Sequence, residues 1–94
     1  MKWVSMEFRF TKHSLEKTFE RGISPIECEK AYEVGEIIET YADDKPFPSD
    51  LRVAKVGSRF LHLVTSKDGS CVHVITVYEP DPKRWNETFT KRRK

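Results

Sequence analysis

Apolar residues recur at helical spacing between Thr11 and Gly35, and after Gly35 they alternate with the period of a strand. Thr11 offers an N-cap hydroxyl, Leu15 and Phe19 follow at i and i+4, and Gly22 supplies a left-handed stop, which predicts a helix of about three turns. Ser24-Pro25-Ile26-Glu27 combines an N-cap serine, a proline suited to the first helical position and a glutamate placed to close a capping box. A second helix is expected there, with Cys28, Ala31 and Tyr32 as its apolar face and Gly35 as its end. Ahead of both, Lys2 to Phe10 carries Trp3, Phe8 and Phe10 among strand-favouring neighbours, the pattern of a ragged first strand or an extended lead-in.

Beyond Gly35, residues Glu36 to Tyr41 predict a strand, and Ala42 to Asp50, with two prolines and three aspartates, a loop. Leu51 to Val56, Phe60 to Ser66 and Cys71 to Tyr78 predict three consecutive strands joined by short turns, hence antiparallel neighbours. Asp81 then caps an expected third helix, with Pro82 at its first position and Trp85 and Phe89 at i and i+4. The expected architecture is α+β: two short N-terminal helices and a C-terminal helix packed on an antiparallel sheet of about four strands.

The last hairpin decides which side chains share a face, because a slip of one residue turns every side chain over. A three-residue Lys67-Asp68-Gly69 loop pairs Ser66 with Ser70, sets His62 opposite Val74 and Thr76 beside Phe60, and gathers His62, Thr76 and Tyr78 on one face. Leu61, Leu63, Ile75 and Val77 then take the other face, and His73 points away from His62. A two-residue Asp68-Gly69 turn would instead separate His62 from Thr76.

Composition narrows the class. At 94 residues the chain has material for one core and one domain, residues 1–94. Charged residues make up 34% of it, yet six Phe, three Tyr and two Trp supply large side chains for an ordered core. Charge enters too early for a signal peptide, and no apolar run approaches the roughly 18 residues of a membrane span, so a cytoplasmic protein with no membrane partner is expected. Cys28 and Cys71 have no metal-ligand spacing and are expected to pack as small apolar residues, unbridged. The net charge of +2 is unevenly placed: from Asp81 onward six basic residues face two acidic ones, so the tail carries about +4 and the rest about −2. Lys91, Arg92 and Arg93, with Arg84, Trp85 and Lys12, are the residues expected to meet RNA; a solvated, frayed terminus is the plainer reading of the tail.

The candidate chemistry is a set of polar groups beside apolar segments. His13 falls in the first turn of its helix, where the positive helix end favours a neutral imidazole, a possible general base or simply a capping residue. His62 lies between apolar neighbours and is either a satisfied core histidine or, with the Thr76 hydroxyl and Tyr78 phenol, part of a proton-transfer group. Arg21 either pairs with a carboxylate or the last carbonyls of its helix, or clamps a phosphate. Asp43, Asp44 and Asp50 lack the histidines or loop pattern of a metal site, so neither metal nor cofactor is expected.

Taken together, Phe10-Thr-Lys-His-Ser14, Glu20-Arg-Gly-Ile-Ser24, the Tyr41 to Ser49 stretch ending Pro-Phe-Pro-Ser, Leu61-His-Leu-Val64 and Ile75-Thr-Val-Tyr-Glu-Pro-Asp-Pro82 with Trp85 make the chain resemble the small prokaryotic family DUF4258. The resemblance covers nearly the whole chain. It implies a compact relative of RelE-type and BrnT-type toxins with a RelE/barnase-like fold, a zinc-finger antitoxin as partner, and metal-independent RNA cleavage. Such cleavage needs a base for the 2′-hydroxyl, an acid for the leaving oxygen and positive charge on the phosphate. From the chemistry of the residues, His13 and His62 are candidates for the proton-transfer pair, Arg21 for the phosphate clamp, and Thr76 or Tyr78 for an orienting or proton-donating group. The alternative is a non-catalytic RNA- or protein-binding module using the same sheet face and the basic C-terminal helix. A metabolic enzyme has no cofactor motif to support it.

Overall fold

Two capping boxes set the helical layer. In the computed structural model, which describes residues 6–93, Thr11 Oγ1 accepts the Ser14 backbone N–H at 2.9 Å while Ser14 Oγ accepts the Thr11 N–H at 2.9 Å, opening α1 (Lys12–Glu20). Ser24 and Glu27 repeat the device at the start of α2 (Pro25–Val34). Gly22 takes φ 66° between the helices, the left-handed stop expected of it. Gly35 ends α2 differently: its φ is −76°, and a Cβ there would run into the Ala31 carbonyl, so close approach rather than handedness requires glycine.

The strands are β1 (Glu7–Phe10), β2 (Glu36–Tyr41), β3 (Ser49–Val56), β4 (Arg59–Asp68) and β5 (Cys71–Tyr78), in the sheet order β1-β5-β4-β3-β2. From β2 to β5 the sheet is the expected antiparallel meander. Its fifth member corrects the expected count: β1 joins the far edge parallel to β5, pairing Phe8 with Val72 and Phe10 with Val74. The part of the expected first strand from Lys2 to Ser5 lies outside the described residues.

Both helices cover one face of this sheet, where Ile23, Cys28 and Ala31 close a core with Ala54, Leu61, Leu63, Val74 and Val77. The way α1 packs overturns its expected stripe. Leu15 is 48% exposed and Phe19 89%, while Ser14 and Thr18 are the buried residues that meet the sheet. Small hydroxyl side chains let the helix approach closely, and each satisfies itself locally, Thr18 Oγ1 donating to Leu15 O at 2.6 Å and Ser14 Oγ to Thr11 O at 3.2 Å. Both cysteines are free, and burial pushes the Cys28 thiol up to about 11.

The expected C-terminal helix is not formed. Asp81 and Pro82 do start a turn, with Asp81 Oδ1 accepting from Lys83 N at 2.9 Å and Asp81 O accepting from Trp85 N at 3.1 Å. The Asn86 side-chain oxygen then takes the N–H groups of Thr90 at 2.9 Å and Lys91 at 3.2 Å, in competition with helix continuation. Phe89 turns left-handed at φ 59°, and the chain folds back so that Trp85 bridges Arg92. A doubled-back strap, not a helix, therefore lies over the second face of the sheet.

Candidate functional site

The second sheet face is assembled by the β4–β5 hairpin, whose register differs from both expected forms. Asp68 pairs with Cys71 across a Gly69-Ser70 turn, and one extra residue, Ile75, is accommodated between Val64↔Thr76 and Thr65↔Val74. The bulge restores by another route the grouping that a three-residue loop would have given. His62 stands opposite Tyr78 and Val64 opposite Thr76, so His62, Thr76 and Tyr78 share a face, with Leu61, Leu63 and Val77 on the other. It also moves two residues from where the sequence put them: Ile75 is exposed, and His73, opposite Ser66, turns to the His62 side.

His62 is fully buried. Its Nε2 lies 2.8 Å from the Phe89 carbonyl, which can only accept, so Nε2 carries the proton and Nδ1 accepts from the Tyr78 hydroxyl at 3.3 Å. Trp85 closes over the ring edge-to-face, with centroids 4.4 Å apart. Burial holds the His62 pKa below its ordinary value, against the opposing pull of the Phe89 carbonyl and the Glu39 carboxylate. The neutral ring thus buttons the strap to the sheet.

Strand β2 contributes two residues the sequence reading passed over. Glu39 receives Arg92 Nε and Nη2 at 3.0 Å each, a bidentate pair, and also accepts from the Tyr41 hydroxyl. The Arg92 hydrogen bond keeps the Glu39 carboxyl below the usual range, whereas burial and the neighbouring carboxylate push Tyr41 up to about 12. The Arg92 guanidinium lies 4.6 Å from the Trp85 ring centre. The signal was present, since Glu39 and Tyr41 are two apart and share a strand face.

Tyr78, Glu79, Asp81, Arg84, Trp85 and Arg92 line a small polar cleft of about 310 Å³ beside this face. Tyr78 sits between the buried ring of His62 and the cleft, and burial raises its pKa, keeping the phenol protonated. Arg21 leaves the end of α1 and hooks over the edge of β5 beyond the last residue of β1, Nη1 donating to Val77 O at 2.8 Å and to Thr76 Oγ1 at 3.2 Å. Arg92 and Arg21 both lie near enough to Tyr78 to pull its pKa down against that burial.

The other expected site residues are placed elsewhere. His13 is exposed at the start of α1, in the helical layer, so it does not face His62 across a common cleft. Lys12 lines a groove between the helices. Trp85 is buried and offers no open stacking surface, whereas Arg84, Lys91 and Arg93 are exposed along the strap. Asp44, one of the loop aspartates, takes the Ser49 hydroxyl, and among the described residues no group of three His, Cys, Asp or Glu side chains gathers at metal-binding spacing. Nor is any described helix long and apolar enough to cross a membrane.

No curated protein and no solved structure matches the chain. A family model, described as a domain of unknown function, matches residues 10–79, so its match stops one residue past Tyr78 and leaves the strap outside. With both helices, strands β2 to β5 and Tyr78 inside the matched span, which covers most of the chain, the chain belongs to the family DUF4258.

Proposed function

We propose that this chain is a metal-independent endoribonuclease, the toxin of a toxin-antitoxin pair, with its chemistry centred on Tyr78 rather than on a pair of histidines. The observation that carries the reading is the position of Tyr78: a protonated phenol backed by His62 Nδ1 and bordering a cleft that also holds Arg84, Arg92 and two carboxylates, Glu79 and Asp81. In this reading Arg84 holds the scissile phosphate, and a carboxylate of the cleft takes the 2′-hydroxyl proton as O2′ attacks phosphorus. The P–O5′ bond breaks as Tyr78 turns its O–H away from His62 Nδ1 and gives the proton to O5′, the Arg92 and Arg21 charges favouring the phenolate left behind, with a 2′,3′-cyclic phosphate and a 5′-hydroxyl end as products. Arg21 holds β5 in place through Val77 O and Thr76, and so positions Tyr78. A zinc-finger antitoxin and kinship with RelE-type and BrnT-type toxins belong to the same proposal, supported by helices layered on one sheet face and polar chemistry on the other.

The test is expression in bacteria of the chain and of Tyr78→Phe. Arrested growth and fragmented RNA with the parent, both relieved by the substitution, are expected; normal growth and intact RNA with both would remove the toxin reading. A second reading, RNA binding without cleavage, is favoured by one observation: His62 is sealed from solvent while Lys83, Arg84, Lys91 and Arg93 stand exposed on the strap. Salt-sensitive binding of an RNA that stays uncut would select it.

A further inference from the structure

Trp85 borders the Tyr78 cleft, yet only 3% of it is exposed. Arg92, which lines the same cleft, lies over the indole with its guanidinium 4.6 Å from the ring centre. Two hydrogen bonds to Glu39, 3.0 Å each, hold Arg92 there, although its side chain is 60% exposed. A guanidinium fork fits a phosphate as well as a carboxylate, and an indole face takes a nucleobase as well as a cation. We propose that Trp85 is a base-stacking platform capped by Arg92 in the free protein, and that single-stranded RNA uncaps it by putting a phosphate in place of Glu39. The inference rests on RNA as the ligand, not on its cleavage.

The exchange strands no polar group. Glu39 keeps the Tyr41 hydroxyl, and with 27% of its side chain exposed it regains water for the bonds that Arg92 gives up. Arg92 swings as a side chain while its backbone stays bridged to Trp85, so the strap remains folded. The charges of the cleft then suit a phosphate. Glu79 is paired with Arg59 at 3.3 Å, and Arg84 makes no ion pair among the described residues. Once Arg92 turns from Glu39, the cleft holds Arg84 and Arg92 against the carboxylate of Asp81. Its volume of about 310 Å³ lies at the low end of ligand sites, which run from roughly 300 to 1,000 Å³, so it encloses one nucleotide of a strand. The cap lowers affinity, because only the uncapped fraction of the protein takes a base.

The probe is a short oligouridylate with 2′-O-methyl groups, which carries bases and phosphates but lacks the nucleophile for cleavage. It is titrated into the Trp3→Phe protein, whose emission reports Trp85 alone. Inorganic polyphosphate, charge without bases, is the control. The oligouridylate should quench Trp85 as it binds, and polyphosphate should quench it far less. Glu39→Gln weakens the latch without touching Trp85. With the thermal melt confirming its fold, this variant should admit more acrylamide to Trp85 before any ligand is added and bind the oligouridylate about threefold or more tighter. The proposal is overturned if the oligouridylate fails to bind, if it quenches Trp85 no more than polyphosphate does, or if Glu39→Gln changes neither access nor affinity. RNA cleavage with a silent Trp85 would sink this inference and spare the ribonuclease reading; quenching by the probe with RNA left intact would do the reverse.

Discussion

A buried histidine with both nitrogens engaged behaves as a structural residue whatever chemistry goes on beside it. Replacing His62 by alanine leaves the Phe89 carbonyl and the Tyr78 hydroxyl without their partner and opens a cavity under Trp85, which should cost about 2–4 kcal/mol in chemical denaturation. Its titration has a definite sign. The folded pKa lies below the ordinary 6.5, so below pH 6.5 the unfolded chain binds the proton that the folded chain refuses. Stability should therefore be fully present above pH 6.5 and fall as the pH drops from there toward the folded pKa. Glu39, also depressed, adds its own loss only below its ordinary 4.5, so the two windows separate. Denaturation midpoints measured from pH 7.5 to 5 should show the His62 slope, and His62→Gln should flatten it; an unchanged slope would mean that another group titrates.

At the scale of elements, the strap and the α2–β2 junction are the places where small changes should matter most. Asn86→Ala removes the acceptor for the Thr90 and Lys91 N–H groups and should loosen the strap, costing about 1–2 kcal/mol and exposing Trp85 to a fluorescence quencher. Gly35→Ala drives a methyl into the Ala31 carbonyl and should destabilise by about 1–3 kcal/mol, measured by thermal melting. These two positions also show what the sequence could convey. The helix starts were legible because capping is local chemistry, and Ser24-Pro25-Ile26-Glu27 folds as its residue types dictate. The end of the chain was not, because Asp81-Pro82 carries a helix-start signal whose outcome depends on Asn86 turning its side chain back on the chain four and five residues on. In α1 the apolar spacing of Leu15 and Phe19 was real but pointed outward, since Ser14 and Thr18 allow the closer contact with the sheet.

The whole molecule is two-sided. One sheet face carries the helices and the groove between them, and the other carries Tyr78, His62 and a strap bearing exposed cations. The grouping of His62, Thr76 and Tyr78 was legible from strand alternation, yet the reason for it was not: a bulge at Ile75 compensates a turn at Gly69-Ser70 in place of the expected Lys67-Asp68-Gly69 loop. That His13 and His62 belong to opposite layers was beyond reach of the sequence, because layer assignment depends on which face of the sheet the helices cover. Arg84, exposed at the Tyr78 cleft, is the cation best placed for a phosphate, and Arg84→Ala should weaken RNA binding and lower the salt slope by about one unit in filter-binding titrations. The most direct measurement is cleavage of an end-labelled RNA by the purified protein in excess EDTA, compared with Tyr78→Phe and resolved by the chemistry of the product ends. Fragments with 2′,3′-cyclic phosphate and 5′-hydroxyl ends, slowed about a hundredfold or more by the substitution, are the expected result. RNA left intact by the parent, or cut equally fast by Tyr78→Phe, would contradict the placement of the chemistry at Tyr78.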